Sequence, residues 1–98
     1  MIRHIALLTF ADGTTAEQVQ AIADALSTLP GRLPQLQAYD IGPDLGVSAG
    51  NATFAVVADF ATFDDYVTYR DDPEHKRIIA EMIAPVLVAR SAAQYQIP

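Results

Sequence analysis

Two histidines and four tyrosines are the side chains in this sequence best suited to moving protons. His75 follows Asp72-Pro73, a residue suited to an N-cap and a residue suited to the first helical position. Ile78, Ile79 and Met82 stand at helical spacing from it, so its ring belongs to an inward-facing stripe. Near a helix N-terminus and withdrawn from water, an imidazole is pushed toward its neutral form, which can serve as a general base. Tyr69 lies at the end of the preceding helical stretch, and the Asp72-Pro73 restart turns the chain so that the two side chains can converge. A phenol in that place can donate a hydrogen bond to a carbonyl or enolate oxygen while the imidazole moves the proton. Tyr66, one turn earlier, competes for the pocket wall. The same residues also fit a structural account. In it, His75 is a core histidine bonded to backbone and Tyr69 an aromatic packed at a helix end with its hydroxyl in water.

His4 shares a strand parity with Ala6 and Leu8, and Phe54 and Val56 share one with Ala58. If these parities face the helices, His4 lies beneath His75 and Tyr69. The small Ala6 and Ala58 then leave room for a ligand, unless they mark ordinary close packing. The expected pocket wall is His4, Ala6, Phe54, Val56, Tyr66 and Ile79, with Tyr69 and His75 as the acid–base pair. No metal site is expected, because the two histidines lack ligand spacing with a carboxylate. Asp64, Asp65, Asp71 and Asp72 read as helix caps and first-turn acids. No glycine-rich phosphate loop is present, and Ser27, Ser48 and Ser91 have no partnered histidine and acid. The absence of cysteine removes disulfides and thiolate chemistry. No cofactor is implied.

These side chains must be held by 98 residues, the length of a single domain (1–98) with one core. A hydrophobic share of 51% against 18% charged excludes disorder. Six basic and twelve acidic residues give a net charge of −6, which argues against nucleic acid or an anionic membrane as partner. No apolar run approaches a membrane span and no signal-peptide pattern opens the chain, so a cytoplasmic protein is expected.

Ile2–Phe10 reads as a buried strand. Thr14-x-x-Glu17 has capping-box spacing for a helix carrying Val19, Ile22, Leu26 and Leu29, which Pro30-Gly31 should stop. A more polar strand is predicted over 35–41, an exposed loop over 42–51, and a third strand over 53–60. Thr62 caps a short helix to about Arg70, a further helix runs from Pro73 to about Ala84, and a last strand covers 86–97. The order β-α-β-β-α-β is the ferredoxin-like α+β arrangement, one antiparallel sheet with both helices on one face. Both faces of the first and third strands are apolar, so the uncovered face should pack on a second copy in a homodimer.

The opening Ile-x-His-Ile, Pro34-Gln35-Leu36 leading into the second strand, and Tyr69-x-x-x-Pro73-x-His75 together resemble the stress-responsive dimeric α/β-barrel (Dabb) family, over Met1 to Ile97. The resemblance implies a dimeric α/β barrel with a pocket between sheet and helices in each subunit. The family includes stress-induced plant proteins, a polyketide cyclase (olivetolic acid cyclase) and a hydroxynitrile lyase. By similarity to that cyclase, Tyr69 and His75 carry acid–base work and His4 lines the pocket. Phe54 stands where the cyclase has a pocket histidine, and Leu26 where it has a pocket tyrosine, which leaves a more apolar pocket. Three readings follow from the sequence. One is a cofactor-independent cyclase or lyase acting on a polyketide-like or carbonyl compound; another is a non-catalytic stress-responsive dimer holding a small apolar ligand or none. The third, a haem-handling or monooxygenase barrel, lacks an evident axial ligand.

Overall fold

The computed structural model describes Met1–Pro98. Strands β1 (Ile2–Phe10), β2 (Ala38–Pro43), β3 (Phe54–Phe60) and β4 (Leu87–Gln96) form one sheet in the order β2-β3-β1-β4. All three strand pairs are antiparallel. Helices α1 (Ala16–Leu26), α2 (Leu29–Arg32), α3 (Phe63–Asp71) and α4 (Pro73–Ile78), with a π-helical segment Ile79–Ile83, complete the ferredoxin-like α+β fold.

Strand periodicity decides which face the helices cover. His4, Ala6, Leu8 and Phe10 of β1 and Phe54, Val56, Ala58 and Phe60 of β3 are buried, and they join Ile22, Leu26, Leu29 and Ile78 in one core. Cross-strand register sorts this face into rows: Tyr39, Ala58, His4 and Gln94; then Ile41, Val56, Ala6 and Ala92; then Pro43, Phe54, Leu8 and Arg90. The middle row has alanine on two neighbouring strands, so the sheet surface is lowest there.

No element of the protomer covers the opposite face. Leu7 and Tyr95 are exposed, Ile5 and Val57 half-buried, and Arg3 donates to both carboxylate oxygens of Asp59 at 2.8 and 2.9 Å. The bidentate pair lets a carboxylate lie nearly buried on an apolar face.

Several boundaries differ from the sequence expectation, each for a local reason. The α1 cap is Thr15, not Thr14: Thr15 Oγ1 accepts from the Gln18 amide and Gln18 Oε1 accepts from the Thr15 amide. Thr14 instead donates its hydroxyl to the Ala11 carbonyl, closing the turn in which Gly13 takes φ +87°. Pro30-Gly31 does not end α1, which stops at Leu26 with the Ser27 and Thr28 hydroxyls turned back onto the Ala23 and Ala25 carbonyls. Both residues lie inside α2, where a first-turn proline forfeits no helical hydrogen bond. Strand β2 lies later than predicted and includes Gly42 and Pro43. Proline is tolerated there because β2 is an edge strand. The predicted helix 73–84 is α-helical only to Ile78; beyond it the Ala84 amide bonds the Ile79 carbonyl, an i→i+5 closure.

Candidate active site

The geometry of the site starts from the Asp72-Pro73 step. Proline disfavours helical conformation in the residue before it, and Asp72 adopts φ −58°, ψ 130°. The break ends α3, leaving the Arg70 carbonyl without a helical partner. Asp72 then caps α4, its Oδ2 accepting from the His75 amide at 3.0 Å and its Oδ1 from Arg32 at 3.0 Å. The chain therefore doubles back, and the His75 ring stacks on Tyr69 with centroids 4.1 Å apart.

His75 Nδ1 lies 3.3 Å from the Arg70 carbonyl oxygen, an acceptor only, so this nitrogen carries the proton. Nε2 is left as the basic nitrogen, and no protein group bonds to it. Burial holds the His75 pKa below its ordinary value, partly countered by the Arg70 and Tyr69 carbonyls and by Asp72. The neutral form thus persists to lower pH than in a free imidazole. His4 is also shifted down, chiefly by burial and then by the charges of Arg90 and His75. Its Nδ1 is buried with no hydrogen-bond partner, an exception among interior polar groups. Its ring packs 4.9 Å from that of Tyr66.

The Tyr69 hydroxyl does not meet His75. It pairs with the Tyr39 hydroxyl at 3.2 Å, and burial raises the pKa of both phenols above the usual range. Tyr69 is therefore a neutral hydrogen-bond donor across the ordinary pH range, suited to an oxygen that gains negative charge.

A cavity of about 240 Å³ lies between sheet and helices. His4, Ala6 and Val56 form its sheet side, Tyr66, Tyr69 and His75 one helical wall, and Leu26, Ile79 and Ile83 the rest of the cover. Leu87 and Arg90 of β4 flank it. An engineered apolar cavity of about 150 Å³ accommodates benzene, so this space suits a substituted ring or a short branched chain. Of the residues expected at the site, Tyr69, His75, His4, Ala6, Val56, Tyr66 and Ile79 all border this one space.

Phe54 does not. It has the expected parity but sits one row beyond Val56, buried against Phe10 with ring centroids 5.9 Å apart. Participants that the sequence reading did not single out include Tyr39, which falls inside the predicted second strand but meets Tyr69 only through tertiary packing; Arg90, because β4 has no alternating pattern; and Ile83, because the π turn carries it to the cavity. No three histidine or carboxylate side chains gather as a metal-ligand set. No helix is long and apolar enough to cross a membrane.

A family model described as "Stress responsive A/B Barrel Domain" matches residues 2–97. Among solved structures, the chain is similar to a dimeric ferredoxin-like protein of unknown function from Thermobifida fusca. They share 46% identity, with 98% of this chain and 90% of that one covered and a TM-score of 0.89. A dimeric ferredoxin-like protein of unknown function from Bacteroides fragilis shares 19% identity over 98% of this chain and 95% of its own, at TM-score 0.82. The hydroxynitrile lyase of Passiflora edulis shares 21% identity over 99% and 93%, at TM-score 0.83; at these last two identities the likeness is one of fold. No curated protein matches the chain significantly.

Proposed function

This chain belongs to the stress-responsive A/B barrel (Dabb) family, and from that membership we propose a cytoplasmic homodimer whose cavity performs cofactor-independent acid–base chemistry on a small carbonyl compound. The observation that carries the reading is the cavity itself. One space between sheet and helices is bordered by an imidazole with a free basic nitrogen, His75, and by a buried neutral phenol, Tyr69. Dimerisation through the uncovered sheet face is supported by the dimeric state of the Thermobifida fusca relative and by the apolar residues left open there.

In an aldol-type closure, His75 Nε2 takes the proton from the carbon alpha to a carbonyl. The C–H pair becomes the enolate double bond, and the carbonyl oxygen gains charge while accepting a hydrogen bond from Tyr69. The enolate carbon then attacks a second carbonyl, forming the C–C bond, and the imidazolium returns its proton to the resulting alkoxide. A lyase step runs the same transfers in reverse: His75 takes a hydroxyl proton, a C–C bond breaks to a carbonyl, and the leaving carbon receives the proton. Such acid–base assistance contributes roughly 10²–10⁴ in rate.

A non-catalytic ligand-binding dimer is the second reading. It is favoured by one contact, the Tyr39 hydroxyl, which already satisfies Tyr69 without any substrate. Turnover of 1,3-diketone and hydroxynitrile panels, compared among wild type, Tyr69→Phe and His75→Gln, separates the two. Turnover lowered by both substitutions in a dimer that remains folded is the expected result. Turnover insensitive to both removes the pair from the chemistry. Histidine NMR titration supplies a second readout: His75 should titrate below about 6.5 and shift in Tyr69→Phe. A His75 that titrates normally and ignores Tyr69 supports the structural role.

A further inference from the structure

We infer that the ligand of this cavity carries a carboxylate, and that Arg90 is the residue that receives it. The inference deepens the reading above and rests on it only for the carbonyl end of the molecule. The chain has six cationic side chains against twelve acids. Five of the six are paired: Arg3 with Asp59, Arg32 with Asp72, Arg70 and Lys76 with Asp71, and Arg77 with Glu74 and Glu81. Arg90 alone has no carboxylate partner and no side-chain hydrogen bond. With acids in twofold excess, a cation left single is the exception.

Its position gives the exception a use. Arg90 lies opposite Leu8 in the register of β4 on β1, on the helix-covered side of the sheet, and borders the cavity shared with His4, Tyr69 and His75. The residue is exposed while the imidazoles are buried, yet its charge bears on His4, Tyr69 and His75. Apolar side chains, Leu8 and Leu87 among them, lie along the same cavity. The cavity thus combines buried imidazoles, an apolar lining and an exposed, unpaired arginine; Arg70, the other arginine on its border, is held by Asp71. It suits a molecule with a carbonyl at the buried histidine end, a hydrocarbon or aryl middle and a carboxylate at the mouth. Arginine offers paired N–H donors that match a carboxylate fork. In a protein of net charge −6, a local free cation is also what lets an anionic ligand approach.

Phenylalkanoates from phenylacetate to 5-phenylpentanoate, each compared with its own amide, test this by calorimetry on the dimer. They carry no reacting carbonyl, so their binding is independent of whether Tyr69 and His75 catalyse anything. At least one acid should bind about two- to fivefold tighter than its amide, the size of a contact between solvent-exposed charges. Arg90→Gln should abolish that preference while leaving amide affinity in place, Arg90→Lys should keep part of it, and added salt should erode it. If no acid of the series binds more tightly than its amide, or if Arg90→Gln leaves the preference intact, the assignment fails. If the preference holds and Tyr69→Phe and His75→Gln leave turnover unchanged, the carboxylate site stands and the enzymatic reading falls alone.

Discussion

Replacing Tyr39 and Tyr69 by phenylalanine, singly and together, tests the geometry beneath the proposed chemistry. The two hydroxyls lie 3.2 Å apart, longer than the roughly 2.7–2.8 Å typical of O–H···O bonds. The net value of the bond therefore belongs at the lower end of about 0.5–1.5 kcal/mol. Truncating one partner costs more than the bond, because the other hydroxyl is stranded. Tyr69 is only 4% exposed, so Tyr39→Phe leaves a buried donor unsatisfied at about 1–2 kcal/mol. Tyr69→Phe strands Tyr39 at a similar or slightly smaller cost. The double variant removes both groups and should cost about 1 kcal/mol less than the sum of the singles. Tyr66→Phe is the control: its hydroxyl has no protein partner, and the change should stay within about 0.5 kcal/mol. Urea unfolding at one fixed protomer concentration measures all four, since assembly makes apparent stability concentration-dependent. Strict additivity of the two singles would show that these hydroxyls do not rely on each other, and Tyr69 would lose its described resting partner. In turnover assays, Tyr39→Phe should reduce the rate less than Tyr69→Phe, because Tyr39 acts only by orienting the donor.

Acid should destabilise the fold in two stages. His4 and His75 both have folded pKa values below the ordinary histidine value, so as pH falls below about 6.5 the unfolded chain takes up protons first. Stability then declines until pH passes beneath the folded values, and the urea midpoint should be lower at pH 5 than at pH 7; an unchanged or rising midpoint contradicts the burial argument. Asp59 and Asp72 are held below the usual carboxylate range, Asp59 chiefly by Arg3 and Asp72 by the His75 amide and Arg32 acting against burial. Their contribution is present above about pH 3.8 and is lost as pH falls through the lower folded values. Asp72→Ala should cost about 1–2 kcal/mol through the lost cap, whereas Asp72→Asn should cost less because it keeps the acceptor and loses only a half-exposed ion pair; equal losses would assign the stability to Arg32 instead. Leu7→Asp should dissociate the dimer. Leu7 is 42% exposed in the protomer, so covering it is worth about 1 kcal/mol per copy and about 2 per symmetric interface, near thirtyfold in Kd before charge repulsion. Sedimentation that finds an undiminished dimer would move the interface off this face.

The central strands were legible as short, nearly continuous apolar runs. Period two grouped His4 with Ala6 and Leu8, and Val56 with Ala58, but with both parities apolar only the fold decides that these groups face the helices. The α3–α4 break was equally plain, since Asp72-Pro73 states a stop, a cap and a first helical residue in two letters. Edge strands gave no such signal. Most of β4 is exposed, so its residues carry no alternation, and Arg90 is placed only by pairing with Leu8. Tyr39 falls inside the predicted second strand, but its meeting with Tyr69 is a tertiary contact that no local spacing encodes. Phe54 shows a different limit: parity fixes the face but not which strands reach the cavity, which in that row is lined by Leu8 and Arg90 while on β3 it ends at Val56.

The π segment explains why apolar spacing beyond His75 could not reveal how the cavity is covered. In an α-helix a residue four positions on is rotated by about 40° around the axis. His75, Ile79 and Ile83 would accordingly drift by about 80° over two such steps, and Ile83 would leave the face that His75 defines. The i→i+5 turn over Ile79–Ile83 spreads each turn over more residues, so the second step rotates the opposite way and offsets the first. His75, Ile79 and Ile83 consequently border the same space. In the sequence, a step of four between isoleucines reads as an ordinary helical stripe, because the extra residue of a π turn leaves no compositional mark. Through that turn the buried Ile83 adds hydrocarbon to the cavity wall that His75 shares. Burial, the largest cause of the lowered His75 pKa, comes with the cap that starts its helix and with the stacking of its ring on Tyr69.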